Sequence, residues 1–322
     1  MKEPLMMEIR LKIGISRCLL GDRVRYDGGH KKDPFLTDTL SKYVDYIPVC
    51  PEVEAGFPIP REAFRLVGDP ENPFIVTSKT GKDITNIMKK WAKKRVEELE
   101  KESLCGFIFK KDSPSSGMER VKVYNEKGIP QRRGTGIFAG IFMNRFPLIP
   151  VEEEGRLHDP ILRENFIERI FSLKAWRETL SLKKSLANII DFHTRHKLLI
   201  MAHSVKHYRL MGRLVAVGKG RRLFKVYQDY EELLMEALKL KATVKKNANV
   251  LQHMMGYFKK RLSSYEKREL NEIIDQYRGE YVPLIVPITM INHYVYKYGQ
   301  EYLSKQVYLN PHPIALKLRN HS

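Results

Sequence analysis

Apolar residues in the N-terminal half come in short runs closed by turn formers, whereas in the C-terminal half they recur at helical spacing over long stretches. The run Ile13-Gly14-Ile15 predicts a strand over 12–17, and further runs predict strands at 47–50, 74–77, 104–109, 121–124 and 147–150. Residues 33–43 read as a short helix, and Gly134-Thr135-Gly136 opens another that runs to 142. The clearest helix of this half spans 83–101, where Ile84, Ile87, Met88, Trp91, Val96 and Leu99 lie roughly on one stripe. Pro58, Pro60, Gly68, Pro70 and Pro73 predict irregular backbone over 54–73. Strands alternating with helices predict an α/β fold with a doubly wound, mostly parallel sheet.

The texture changes after Glu152-Glu153-Glu154-Gly155. A helical segment over 160–178 holds Phe166, Ile170, Phe171 and Trp176, and helices are expected at 181–203, 228–242, 247–262, 263–278 and 284–299. Ser263 followed by Glu266 has the spacing of a capping box. The expected organisation is an α/β domain over 1–155, a linker helix over 156–180 and an all-α domain over 181–322, with no internal repeat. A length of 322 residues suits two domains. No apolar run approaches the ~18 residues of a membrane span, no signal peptide opens the chain, and three cysteines do not make a disulfide framework. A cytoplasmic protein is expected, with no membrane partner and no obligate protein partner evident.

Charge changes that picture. Residues 171–322 carry 27 Lys and Arg against 12 Asp and Glu, a net +15 of the chain's +19. Such asymmetry points to a polyanion, tRNA or another RNA; the alternative is a basic, solvated surface. Arg195, Lys197 and His203 fall in one concentrated region, followed by Arg221 and Arg222 and then by Lys259 and Lys260. Tyr257 lies among them and could stack on an unpaired base, whereas Phe258 reads as core. His193 and His203 could share a helix face, as packing hydrogen bonds or as a metal pair. Arg132 and Arg133, ahead of Gly134-Thr135-Gly136, read either as a phosphate-holding helix start or as a solvated turn.

The candidate chemistry gathers at three strand ends. Cys18 follows the first strand, Cys50 and Glu52 follow the second, and Ser113 and Ser116 lie in the turn after the strand at 104–109. In an open α/β sheet such ends converge on a ligand crevice. The two cysteines are either cluster or metal ligands or small buried hydrophobes. Glu52 is either a general base or an N-capping acid. Cys105 begins its strand, so about 20 Å of extended chain separates it from the turn, and it reads as a core thiol.

Taken in order, Ser16-Arg17-Cys18-Leu19-Leu20-Gly21, Val24-Arg25-Tyr26-Asp27-Gly28, Pro48-Val49-Cys50-Pro51-Glu52-Val53, Ile59-Pro60-Arg61 and Ser113-Pro114-Ser115-Ser116-Gly117 resemble the thiouracil desulfidase (TudS) family over residues 12–145. Asp191-Phe192-His193-Thr194-Arg195-His196-Lys197, Ala202-His203-Ser204, Gly256-Tyr257-Phe258, Pro283-Leu284-Ile285-Val286-Pro287 and His293-Tyr294 resemble a YbgA-type helical domain. The fusion is similar to RudS-type enzymes, which remove sulfur from 4-thiouridine in tRNA. The resemblance implies a [4Fe–4S] cluster on three cysteines, with one iron open as a Lewis acid toward a thiocarbonyl sulfur, and hydrolysis without redox change. It makes Glu52 the acid/base and Ser113 a proton-relaying or orienting hydroxyl, and it sets Arg17, Arg25, Asp27 and Arg61 about the substrate. The chain departs from that pattern where the family's third cysteine is Ser116. Three readings of Ser116 stand: it ligates iron itself, or two cysteines and another group hold the cluster, or the cluster is lost. The last case leaves a non-catalytic RNA-binding protein; a desulfidase for free thiouracil is a further alternative.

Overall fold

The computed structural model describes residues 10–220 and 222–320, and the chain divides into two units between Asp159 and Pro160. The first unit runs β1 (Leu11–Ser16), β2 (Val44–Val49), α1 (Pro51–Glu54), β3 (Phe64–Val67), β4 (Phe74–Thr77), α2 (Thr85–Glu100), β5 (Gly106–Phe109), β6 (Val121–Tyr124), β7 (Pro130–Gly134), α3 (Ile137–Arg145) and β8 (Val151–Glu153). One sheet has the order β2-β1-β5-β8, all parallel. The chain leaves β1 for β2 on one side and then crosses to β5 on the other. The crevice of this sheet therefore opens at the C-terminal ends of β1 and β5.

Burial on both faces explains the near-continuous apolar run of β1. Gly14 is required there by close approach, because a Cβ would lie 2.2 Å from the Phe107 ring. Phe107, Phe109, Phe138 and Phe142 pack together with Ala92, Val96 and Leu99 of α2 into one core.

A second sheet, order β4-β3-β6-β7, grows out of the two crossovers. It corrects two expectations: β3 lies inside the stretch read as irregular, and β7 was not foreseen. Four- and five-residue strands offer too few alternations to stand out among prolines and glycines. Two more expectations differ. The last strand of the parallel sheet is 151–153 rather than 147–150, since Pro147 and Pro150 have no N–H for a ladder. Residues 33–43 form a π turn at Phe35–Thr39 and a 3₁₀ turn at Leu40–Lys42, not an α-helix. There the Thr37 hydroxyl donates to Asp33 O and that of Ser41 to Thr37 O, competition that disfavours regular helix.

The second unit is helical: α4 (Pro160–Ser181), α5 (Leu186–His203), α6 (Val205–Ala216), α7 (Leu223–Lys239), α8 (Val244–Gly256), α9 (Ser264–Arg278), α10 (Ile285–Lys297) and α11 (Glu301–Ser304). The α/β and all-α classes are those expected. The segment set apart as a linker holds α4, whose Phe166, Ile170 and Trp176 are fully buried, Trp176 stacking on Tyr230 at 4.9 Å. The helix expected over 181–203 starts only at Leu186, where Ser185 accepts from Asn188 N. α6 was not foreseen; Ser204 closes α5 and caps α6 in one step, accepting from His207 N. Ser263 and Glu266 form the expected capping box, 3.2 and 2.7 Å. Among the described residues no helix is long and apolar enough to cross a membrane.

Four ionisable side chains are buried together in this unit. Arg319 Nε lies 3.1 Å from Glu164 Oε1 and its Nη2 2.9 Å from Glu168 Oε1, while Glu168 Oε2 is 3.0 Å from His203 Nε2. Burial raises Glu164 above the carboxylate range, and neighbouring Glu168 adds to this. Glu168 is lowered despite its burial, because His203 and Arg319 hold it ionised. The two shifts have opposite linkage signs. The depressed Glu168 stabilises above the ordinary carboxylate pKa, and that is lost as pH falls toward its folded value. The raised Glu164 stabilises below the ordinary value, and that is lost as pH climbs toward its folded value. His193, His196 and His312, each lowered by burial, add stability as pH rises to the ordinary histidine value, so the loss carried by Glu164 stands out only above it. Glu164→Gln should flatten the alkaline side of a urea-midpoint profile against pH; an unchanged slope there contradicts the assignment.

Candidate active site

Three strand ends of the parallel sheet line one cavity of about 440 Å³. Ser16, Arg17 and Cys18 come from the end of β1; Cys50 and Glu52 follow β2; Lys110 and the turn 111–116 follow β5. Ser16 joins two of these ends, its hydroxyl accepting from Lys110 N at 2.9 Å. Cys105 is buried before the other end of β5, its amide donating to Lys12 O at 2.8 Å.

Cys50 is the N-cap residue of α1, and its amide donates to Glu54 Oε1 at 2.8 Å. The end of this short helix is thus closed by Glu54, which frees Glu52 to face the cavity. Glu52 Oε1 accepts from the Ser115 hydroxyl at 2.5 Å, and Oε2 lies 3.6 Å from both Arg61 Nη2 and Cys50 Sγ. Burial pushes the Cys50 thiol up to about 12, with the Glu52 carboxylate adding to it. Cys18 is pushed up to about 11, again by burial first, although nearby Lys110 pulls the other way.

Ser115 was missed by the sequence reading, which chose Ser113. Both hydroxyls belong to one chain of hydrogen bonds: Ser113 Oγ and Ser115 Oγ are 3.0 Å apart, and Ser116 N donates to Ser113 Oγ at 3.1 Å. Ser113 and Ser116 line the cavity, whereas Ser115 is fully buried behind them. The start of α3 holds this turn: Phe138 N donates to Ser115 O at 2.9 Å and Gly136 N to Gly117 O at 2.8 Å. Only glycine fits at 136, since a Cβ would lie 2.5 Å from Ser115 C and 2.7 Å from Ser116 N. Gly136→Ala should cost about 1–3 kcal/mol by overpacking and displace both serines; a wild-type urea midpoint would contradict this contact.

Of the other residues set about the substrate, Arg17, Arg25 and Arg61 line the cavity. Asp27 does not: it turns outward, accepts from Gly29 N at 2.9 Å and lies 3.4 Å from Arg25 Nε. The expected RNA contacts divide. Arg132, Arg133, Arg222, Lys259 and Lys260 are exposed; Arg195 is half-buried and pairs with Asp191 at 2.8 Å; half-buried Lys197 sits over the Tyr302 ring at 4.8 Å. Arg221 lies outside the described residues. His203 is corrected: it is fully buried between Leu240 O and Glu168 and cannot reach a phosphate. His193 is bonded to Tyr230 at 3.1 Å, and Phe258 is core.

Comparison with known proteins gives matches over both halves of the chain. Residues 13–154 match the 2-thiouracil desulfurase family, and residues 197–313 match a family of unknown function, DUF1722. The chain therefore carries a desulfidase-family domain joined to a YbgA-like domain. It belongs to the YbgA family: it is 33% identical over 153 residues to the uncharacterized protein YbgA of Escherichia coli (strain K12), covering 47% of this chain and 90% of that one. It is also 28% identical to the uncharacterized protein YbbK of Bacillus subtilis (strain 168), over 32% of this chain and 71% of the relative. A solved [4Fe–4S]-dependent thiouracil desulfidase, TudS, is similar at 29% identity, covering 47% of this chain and 95% of that one with a TM-score of 0.39.

Proposed function

We propose that the protein removes sulfur hydrolytically from a thiolated uridine, 4-thiouridine in tRNA. The observation that carries this reading is the convergence of Cys18, Cys50, Glu52 and Ser116 on one cavity at the crevice of the parallel sheet. The donor set suits an iron–sulfur cluster: two thiols and a hydroxyl from three separate strand ends line one cavity, and metal binding displaces a thiol proton that burial alone would retain. Cys18, Cys50 and Ser116 would hold a [4Fe–4S] cluster, which when bound supplies an open Lewis-acid position for the thiocarbonyl sulfur.

The chain's own residues handle the proton. Ser115 fixes Glu52 Oε1, so Oε2, beside Arg61, takes a proton from the attacking water. The C–O bond forms, the proton held at Glu52 passes to the sulfur, and the C–S bond breaks to release HS⁻ while the remaining hydroxyl proton returns to Glu52 as the carbonyl forms. No electron is transferred. A base inside RNA must leave its stack to enter such a cavity, and the basic second half suits a polyanionic substrate.

The test is iron and acid-labile sulfide content after anaerobic preparation, in the native protein and in Ser116→Cys. Iron and sulfide in the native protein, retained more firmly in the variant, support the reading. A native protein that is iron-free and inactive, beside a variant that gains both properties, overturns it in favour of a degenerate domain that only binds RNA.

A further inference from the structure

The second sheet carries three cations in a row. Lys122 of β6 directly faces Arg132 of β7, and the parallel β3–β6 register, Leu66 beside Val123, sets Arg65 level with Lys122. Leu66, Val121 and Val123 are buried in the core, so strand alternation puts Arg65, Lys122 and Arg132 on the opposite face. Like charges at facing positions weaken a sheet. Little in the protein offsets them: among the described residues, Asp112, 3.5 Å from Arg132 and half-exposed, is the carboxylate paired with the row. Arg65 lies over the Tyr124 ring at 5.6 Å, and its buried Nε has no hydrogen-bond partner. The register shift between Val121 and Lys122 turns Arg133 away, into a separate hollow with Asn144.

This row lines a groove of about 360 Å³ that shares Phe64, Asp112 and Pro114 with the thiol cavity. We propose that Arg65, Lys122 and Arg132 hold the phosphodiester beside the reacting nucleotide, next to the Tyr124 ring. This rests on the reading above that the substrate base lies within a polynucleotide. Cations of this kind hold phosphate without reading sequence, and the guanidinium forks suit its oxygens. The groove thus positions a strand whose displaced base enters the adjoining cavity.

Lys122→Thr and Arg65→Gln test the proposal in the full-length, anaerobically prepared protein. Substrates are a thiolated oligoribonucleotide, 4-thiouridine monophosphate and free 4-thiouracil. KM for the oligonucleotide should rise about tenfold per substitution, with turnover of free 4-thiouracil and iron content unchanged. Binding of an unthiolated single strand, followed by fluorescence anisotropy, should lose about 0.7 from its log–log salt slope. Lys122→Thr should also raise the urea midpoint, which loss of a merely structural lysine would not do. An unchanged oligonucleotide KM and salt slope overturn the proposal, as does an equal loss on free 4-thiouracil. An equal rise in KM for the monophosphate assigns the row to a mononucleotide phosphate instead. A native protein that desulfurates nothing defeats the proposed function, and the salt slope alone then decides the row.

Discussion

Glu52→Gln should lower desulfidase turnover by about 10²- to 10⁴-fold, the range general acid–base catalysis supplies. Glutamine keeps the shape and can still accept from Ser115, so the wall of the cavity should stand. What it loses is the ability to take and return a proton. Arg61, mostly buried and within 3.6 Å, also loses its counter-charge. The check is the initial rate of sulfide release from thiolated RNA at saturating substrate, with iron content measured on the same sample. A variant that retains iron and turns over at the native rate removes Glu52 from the chemistry.

The largest effect on stability is expected at Arg319 in the second unit. Its guanidinium meets Glu164 at 3.1 Å, Glu168 at 2.9 Å and Tyr308 O at 2.6 Å, and the residue is 5% exposed. Arg319→Met fills similar volume but leaves two buried carboxylates without their shared cation, a loss of about 3–5 kcal/mol. For a unit of this size that corresponds to a fall in Tm of roughly 10 °C. Glu164, which burial already holds above the carboxylate range, takes up a proton when Arg319 is lost, so adding Glu164→Gln to Arg319→Met should change Tm little further. A single substitution that leaves Tm unchanged would contradict the buried network.

How much of this was legible in the sequence follows from the residue types. Cys18, Cys50 and Glu52 stand where an apolar run meets a turn, so their convergence could be read from strand ends and one topological rule. Ser115 could not be told from Ser113, since both are serines two apart; what buries Ser115 is the start of α3, which follows only after the β6–β7 hairpin. His203 looked exposed because it sits among cations, yet its partner Glu168 comes from another helix. The cation row was hidden for a similar reason. Arg65, Lys122 and Arg132 become neighbours only when three short strands pair, and their strands carried too little alternation to be seen in full.

The most direct measurement is the 4-thiouridine content of tRNA after incubation with the anaerobically prepared, iron-loaded protein, alongside sulfide released. Loss of 4-thiouridine matched by sulfide released and by uridine gained, and abolished in Cys50→Ala, is the expected result. Unchanged tRNA thiolation with a full complement of iron would contradict it.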